Sequence, residues 1–356
     1  MSRFLSQRFS QIKPYVPGEQ PQDTEYIKLN TNESPYPPSP RVLQVVNQKE
    51  VEKLRLYSDP EVKQLIQQIA DFYQVSTDQV FVGNGSDEVL AFSFMAFCDQ
   101  QQQICYPDIT YGFYQVFCQL FGLQQNPIPL KQDFTVDYQD YCDCGKNIVI
   151  ANPNAPTGLS LSLEEIEQIL KTNPDHLVMI DEAYVDFGGT TCIPLLKQYS
   201  NLMVIQTFSK SRSLAGARLG FAISSPEIIQ DLNKIKFSYN PYNVNRLSIL
   251  AGSAAMQDRL YWEYCTNEVI QTRNKTKCAL EQLGFTVLDS KTNFLFARCP
   301  KISGEDYYSK LKQNGILVRH FDQERIQDFV RITIGTPAQM EQFLQVTKRL
   351  MEEETQ

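Results

Sequence analysis

The sequence predicts an α/β fold, a mainly parallel mixed sheet flanked by helices, followed by a smaller α+β unit. Three observations carry this. Short apolar runs at Gln79–Val82, Ile104–Tyr106, Asn147–Ala151, Leu177–Ile180, Leu202–Ile205 and Leu219–Ile223 alternate with helical stretches, as in a sheet built by crossovers. Polar clusters follow those runs at Gly83–Glu88, Asn152–Gly158, Asp181–Tyr184 and Thr207–Arg218, and functional residues in open α/β sheets collect at strand carboxyl ends. After Tyr239-Asn-Pro-Tyr-Asn243 the pattern changes. A long helical region, Val244 to Leu283, precedes strands at Phe285–Leu288, Asn293–Ala297, Ile316–Arg319 and Phe329–Ile334, with helices at Tyr307–Asn314 and Pro337–Glu352. The expected division is an N-terminal arm (1–40), a large domain (41–245) and a small domain (246–356).

Taken in order, residues 1–40 are rich in proline and cannot form regular helix or central strand, so an ordered arm draped over the body is expected. Arg41 to Leu54 can form a helix, and Leu56-Tyr-Ser-Asp-Pro60 is a turn. Val62, Leu65, Ile66, Ile69 and Phe72 or Tyr73 mark one face of an amphipathic helix over Val62–Tyr73. The strand Gln79–Val82 then meets the glycine turn Gly83-Asn-Gly-Ser-Asp-Glu88 and an apolar helical run, Val89 to Phe97. Strand, glycine turn and helix start form a phosphate site by geometry, and a plain helix cap accounts for them equally well. Glu88 stands where a dinucleotide fingerprint needs glycine, and the Walker pattern is absent. Aromatic residues Tyr111 to Tyr114 open a helix, Gln115 to Phe121, with core packing as their default role. Ser162 and Glu165 have capping-box spacing ahead of a helix over Leu163–Leu170.

Composition narrows the class. A chain of 356 residues is long for one core, and 42% hydrophobic with 21% charged residues is ordinary for a globular protein. A net charge of −8 argues against non-specific binding to nucleic acid or anionic membranes, though a local positive pocket stays compatible with it. The nine cysteines, including the pair Cys142-x-Cys144, are expected to be reduced thiols of a cytoplasmic protein. His176 and His320 lack ligand-like spacing to cysteine, so no metal site is expected. No apolar run of about 18 residues predicts a membrane span, and the N-terminus lacks a signal-peptide core.

Lys210 follows an apolar run, sits among small hydroxyl residues and has Arg218 in the same loop. Such a lysine can anchor a carbonyl cofactor covalently, with the hydroxyls and arginine on its phosphate; alone, the stretch reads equally as a surface loop. A pyridoxal 5′-phosphate site needs more. A carboxylate must face the ring nitrogen, donors the ring oxygen, a positive nest the phosphate and an aromatic ring one face. Asp181 ends a strand and suits the nitrogen; Tyr184 and Asn154 suit the ring oxygen. Gly85, Ser86 and Asp87 offer backbone amides, Ser209 and Arg218 add to the phosphate grip, and Tyr111 can stack. Asp181-Glu182 alone reads as a cap or salt bridge, but the matched groups in order favour the cofactor site.

The segments Asn152-Pro-Asn-Ala-Pro-Thr-Gly158, Asp181-Glu-Ala-Tyr184, Ser209-Lys-Ser211, Arg218-Leu-Gly-Phe221 and Arg331-Ile-Thr-Ile-Gly-Thr336 resemble fold-type I aminotransferases that use pyridoxal phosphate. Leu29-Asn-Thr-Asn-Glu33, Leu56–Pro60 and Gly83–Glu88 narrow the resemblance to the histidinol-phosphate aminotransferase group, over Tyr15 to Thr336. The resemblance implies a homodimer in which Tyr57 reaches the partner's cofactor phosphate. It implies that Arg331 binds the anionic end of the substrate, a phosphate in this group, with Arg319, Tyr15 and Asn32 in the same pocket. Arg319 reads equally as a surface strand residue. Lys210 would act as base and acid in moving an amino group from L-histidinol phosphate to 2-oxoglutarate, a step of histidine biosynthesis. The chain departs from the common pattern at Ala155 and Ser211-Arg-Ser213, which leaves substrate preference open. Three other readings remain: an aromatic amino-acid aminotransferase, a threonine-phosphate decarboxylase and a non-catalytic cofactor-binding regulator. The regulator ranks last, because only about thirty residues precede Asn30 and they hold no basic helix.

Overall fold

The computed structural model describes residues 2–10, 12–21 and 25–354. A two-residue strand, β1 (Ile27–Lys28), precedes the short helices α1 (Pro40–Val45) and α2 (Gln48–Glu52) and then α3 (Lys63–Tyr73). The body continues with β2 (Val80–Asn84), α4 (Ser86–Phe97), β3 (Ile104–Pro107), α5 (Phe113–Phe121), β4 (Gln125–Ile128), β5 (Asn147–Ala151) and α6 (Leu163–Thr172). Then come β6 (Val178–Asp181), β7 (Leu202–Thr207), β8 (Leu219–Ser224), α7 (Pro226–Tyr239) and α8 (Arg246–Gln257). The last part holds α9 (Arg259–Gln282), β9 (Thr286–Val287), β10 (Phe294–Arg298), α10 (Gly304–Gln313), β11 (Ile316–Leu317), β12 (Arg319–His320), β13 (Phe329–Thr333) and α11 (Pro337–Glu353).

Seven strands form one sheet in the order β2-β8-β7-β6-β5-β3-β4. β7, β6, β5, β3 and β4 run parallel, and β8 is antiparallel to both its neighbours. This is the mainly parallel mixed sheet that the sequence predicts. Every residue of β5 to β8 is buried, as strands covered on both faces require. Side chains alternate between two cores. Ile148, Ile150, Val178, Ile180, Leu202 and Val204 pack with α3, α6 and α8. Val149, Ala151, Met179, Met203 and Ile205 pack with α4, α5 and α7. That phase aims Asp181 and Thr207 to the second face, and Glu182 and Gln206 to the first.

The remaining strands build a small antiparallel sheet, β12-β13-β10-β9, cored by Leu295, Ile332, Tyr307, Leu311 and Phe343. The arm is stitched to it. β1 pairs with β11, Leu29 N–H donates to Leu317 O at 2.7 Å, and Leu29 is buried in the small core.

Several elements differ from expectation. The helix expected over Arg41–Leu54 is two helices, because Asn47 turns extended and accepts from Glu50 N–H as a new N-cap. α4 starts at Ser86, since Gly85 (φ +80°) lets the polar Ser86, Asp87 and Glu88 form the first turn. The region Val244–Leu283 breaks at Asp258 into α8 and α9. α7 was not anticipated, although Pro226 at its start is a helix-opening signal. The edge strand β4 tolerates Pro127. The expected strand Ile316–Arg319 divides between two sheets.

Candidate active site

Ala151, Asp181 and Thr207 lie on one face at the carboxyl ends of adjacent parallel strands, where Asp181 pairs in register with Ala151 and Ile205. They floor a cavity of roughly 170 Å³ lined also by Thr31, Glu33, Ser86, Asp87, Tyr111, Tyr184, Ser209, Lys210 and Arg218.

Asp181 is buried. Its Oδ2 accepts from the Tyr114 hydroxyl at 2.8 Å and its Oδ1 from Ala183 N–H at 3.2 Å. Burial pushes its carboxyl up to about 6, against the lowering effect of these two donors. Both donors are neutral, and no cationic side chain pairs with Asp181 among the described residues. A buried carboxylate so placed is a socket for a protonated ring nitrogen.

Lys210 enters from the turn after β7, with its Nζ 3.4 Å from Thr31 O and 5.8 Å from the Tyr184 ring centroid. Burial, assisted by the Arg331 charge, holds its amine down at about 8. A neutral amine is therefore accessible close to neutral pH, as covalent anchoring needs. The Tyr184 hydroxyl accepts from Asn32 Nδ2 at 2.9 Å, which leaves its own proton to donate inward. Asn32, buried with φ 55°, is fixed by Thr333, whose Oγ1 accepts from Asn32 N–H at 2.9 Å and donates to Asn32 Oδ1 at 3.0 Å. The arm thus reaches the site through the small sheet.

The opposite end of the cavity is the start of α4, whose first N–H groups have no partner within the helix. Gly85 is favoured by its positive φ, and a Cβ there would also displace the Arg218 guanidinium, whose Nη2 would lie 2.6 Å away. Gly220 of β8 lets α4 approach, since its Cβ would lie 2.2 Å from Ser86 N. The Asp87 carboxylate spans Arg218 Nη2 (2.9 Å) and the Tyr111 hydroxyl (2.6 Å), which orients both. Ser209 Oγ lies 3.0 Å from Thr207 Oγ1, whose hydroxyl also reaches Leu219 O at 3.2 Å. Amides, hydroxyl and guanidinium converge there as an anion nest.

Asn154 does not line the cavity. Its amide hydrogens go to Ile109 O (3.0 Å) and Thr157 Oγ1 (3.1 Å), and its Oδ1 accepts from Thr110 (2.7 Å), so it pins two strand-end loops together. Tyr57 is also remote within one chain: it is 79% exposed and stacks on Tyr242 at 4.5 Å.

Arg319 and Arg331 stand directly opposite each other across β12 and β13. Neither forms an ion pair among the described residues. Arg331 Nη2 donates to Asn30 O at 3.2 Å, its buried Nε has no partner, and its guanidinium lies 5.3 Å from the Phe294 ring. Arg319 donates to the carbonyls of Val16 and Pro17 at 3.2 Å. Like charges directly opposite destabilise a sheet unless an anion sits between them. Tyr15 stacks on Phe113 at 4.4 Å. Burial raises its phenol, while the charges of Arg331 and Arg319 pull it down, so its hydroxyl lies in both fields.

Sequence reasoning missed Tyr114, placed by default in the core, and also Thr31, Glu33 and Thr207. Tyr114 follows Tyr111 by one helical turn, which was the available signal.

A buried carboxylate, a depressed lysine, an inward phenol and an anion nest fit pyridoxal phosphate as a donor set. The family model for class I and II aminotransferases matches residues 24–346. The chain belongs to that family. Among curated relatives, it is 53% identical to the histidinol-phosphate aminotransferase of Brachyspira hyodysenteriae over 352 residues, 99% of each chain. It is 47% identical to that of Clostridium acetobutylicum, over 98% of this chain and 99% of the relative. The solved histidinol-phosphate aminotransferase of Sinorhizobium meliloti, in complex with pyridoxal-5′-phosphate, superposes with a TM-score of 0.89 at 23% identity, covering 99% of this chain and all of the other. That likeness establishes the fold-type I aminotransferase architecture for the chain. Among the described residues, no helix of this aminotransferase is long and apolar enough to cross a membrane.

Proposed function

We propose that this aminotransferase transfers the amino group of L-histidinol phosphate to 2-oxoglutarate, giving imidazole acetol phosphate and glutamate, a cytoplasmic step of histidine biosynthesis. Near-full-length relatives carrying that name support the reaction. The observation that carries the substrate is the opposed pair Arg319 and Arg331, two guanidiniums that form no ion pair among the described residues and whose charges both act on Tyr15.

Bound pyridoxal phosphate supplies an electron sink for the pair left behind when the substrate's α-proton departs. The chain supplies the rest. Lys210 anchors the cofactor, takes the α-proton at Nζ and returns it as general acid. Asp181, kept anionic by Tyr114, holds the ring nitrogen. Tyr184, oriented by Asn32, donates to the ring oxygen; Asn154 joins it by releasing Thr157. Tyr111 covers one ring face. The amides at Ser86 and Asp87, with Ser209 and Arg218, would hold the cofactor phosphate, whereas the Gly85 N–H donates to Gly83 O at 2.9 Å and shapes the turn instead. Arg331, Arg319 and Tyr15 hold the substrate phosphate.

We also propose a homodimer. Leu43, Val51, Leu54, Leu56, Tyr57 and Tyr242 are exposed apolar side chains on and around the α1–α2 stretch, the signature of a covered surface. A second copy there would let Tyr57 serve the partner's phosphate nest. For the domains, we keep the arm at 1–40 and move the start of the small domain from 246 to α9, because α8 packs Ile249, Ala251 and Ala254 with Leu65 in the large core.

Substituting Arg331→Gln tests the substrate reading. In single turnovers, the preference for L-histidinol phosphate over unphosphorylated L-histidinol is expected to fall by roughly 100-fold, from loss of charge-assisted bonds. An unchanged preference would remove phosphate recognition from this residue.

A further inference from the structure

All nine cysteines are free thiols. Two face each other across 3.7 Å between their sulfurs: Cys105 of β3 and Cys144 in the loop before β5. Cys105 is fully buried and pinned on both sides, paired with Asn126 of β4 and Ile148 of β5. Its thiol also lies 3.6 Å from Asn147 O. Cys144 is half-buried in a sharply folded loop, with left-handed residues on either side, Asp143 (φ 50°) and Gly145 (φ 63°). Its N–H donates to Asn173 Oδ1 at 3.2 Å, and its sulfur lies 3.6 Å from both Lys146 O and Asn173 Oδ1.

The other member of the C-x-C motif, Cys142, points elsewhere, its thiol donating to Tyr138 O at 3.5 Å. Among the described residues, no group of three or more His, Cys, Asp or Glu side chains is placed to hold a metal ion. Cys105 packs in the core shared with α3, α6 and α8, on the sheet face away from Asp181.

We propose that Cys105 and Cys144 form an oxidisable dithiol that hydrogen peroxide converts to an intrachain disulfide. One thiol is fixed in the sheet and fully sheltered, while its partner is on a loop and reachable by a small oxidant. That is the division between resolving and attacking sulfur. The Cys144 sulfur attacks a peroxide oxygen, the O–O bond breaks, and the departing hydroxide takes up a proton. Cys144 becomes a sulfenic acid. The Cys105 sulfur then attacks the Cys144 sulfur; the S–O bond breaks, the S–S bond forms, and water leaves with the Cys105 proton. Two thiols and one hydrogen peroxide give one disulfide and two waters. The two thiols interact across 3.7 Å, an interaction that raises the buried Cys105 thiol and lowers that of Cys144, in keeping with the more exposed Cys144 as the attacker. The bond ties the Asp143–Gly145 loop to β3 and leaves the carboxyl-end cavity untouched, so it acts on stability rather than chemistry.

The test is to treat the holoenzyme with equimolar hydrogen peroxide, alkylate the remaining thiols and map peptides by mass. The expected result is a Cys105–Cys144 cross-linked peptide that is two hydrogens lighter and reversible by dithiothreitol. The oxidised enzyme should keep its turnover and melt about 5 °C higher, as closing a loop of this size gives in a chain this long. Cys142→Ser should cross-link as the parent does, and Cys105→Ser should accumulate oxidised Cys144 instead. A Cys142–Cys144 cross-link, or a Cys105 that stays fully alkylatable in both the parent and Cys142→Ser, overturns the proposal.

Discussion

Replacing Lys210 with alanine lowers turnover by more than about 10⁴-fold and removes the visible absorption of the anchored cofactor. The size follows from two losses at one atom. Nζ is the covalent anchor, and among the described residues no other amine lines the cavity to carry the α-proton. Its environment is tuned for both tasks: burial and Arg331 bring it to about 8, where it exchanges protons near neutrality. Absorbance titration with pyridoxal phosphate and steady-state turnover, run on one preparation, check both losses. Retention of the absorption band together with turnover would remove Lys210 from the mechanism.

Asp181→Asn has the second large effect, and it divides by ligand state. The Asp181 carboxyl sits at about 6, above its ordinary 3.8, because it is buried. A carboxyl raised on folding favours the fold fully below its ordinary value, and that contribution is lost as the pH rises through about 6. Above pH 6 the cofactor-free protein therefore carries a buried, uncompensated charge worth roughly 3 kcal/mol. The asparagine variant lacks this cost, and its amide oxygen still accepts from Tyr114. Cofactor-free Asp181→Asn is expected to melt above the parent at pH 8 and to lose that advantage at pH 4. Once cofactor is bound the order reverses: the ring nitrogen loses its partner, and turnover falls by about 10³-fold. Melting curves of both forms at the two pH values check this. A variant that melts below the parent when cofactor-free at pH 8 would show that Asp181 is not carrying an unpaired charge.

Much of the site was legible before any coordinates because its chemistry ends strands. Asp181, Lys210 and the Gly83–Glu88 turn each follow an apolar run, and parallel strands deliver such ends to one edge. The face each residue occupies was not legible. Asp181 and Glu182 are adjacent carboxylates, and only the alternation seen in Met179 and Ile180 sends one to the cavity and the other to Gln206, which donates to it at 2.8 Å. Tyr114 was hidden for a related reason. An aromatic in an aromatic helix reads as core, and its hydroxyl shows a role only once it is 2.8 Å from Asp181. The bonding of Asn154 was not legible either: two of its three side-chain bonds, to Ile109 O and Thr110, cross to a loop more than forty residues earlier, and only that to Thr157 is local. In the fold, the breaks at Asn47 and Asp258 were missed because each is a local cap or kink inside a pattern with helical period on both sides.

Mixing the yellow holoenzyme with L-histidinol phosphate, phenylalanine or threonine phosphate in turn, without any oxo acid, tests the central claim most directly. The expected result is rapid bleaching of the visible band by L-histidinol phosphate, with the product ketone released, and slow or no response to the other two. Fast bleaching by phenylalanine without a response to L-histidinol phosphate would make this an aromatic aminotransferase. Carbon dioxide release from threonine phosphate would make it a decarboxylase, and either outcome contradicts the account.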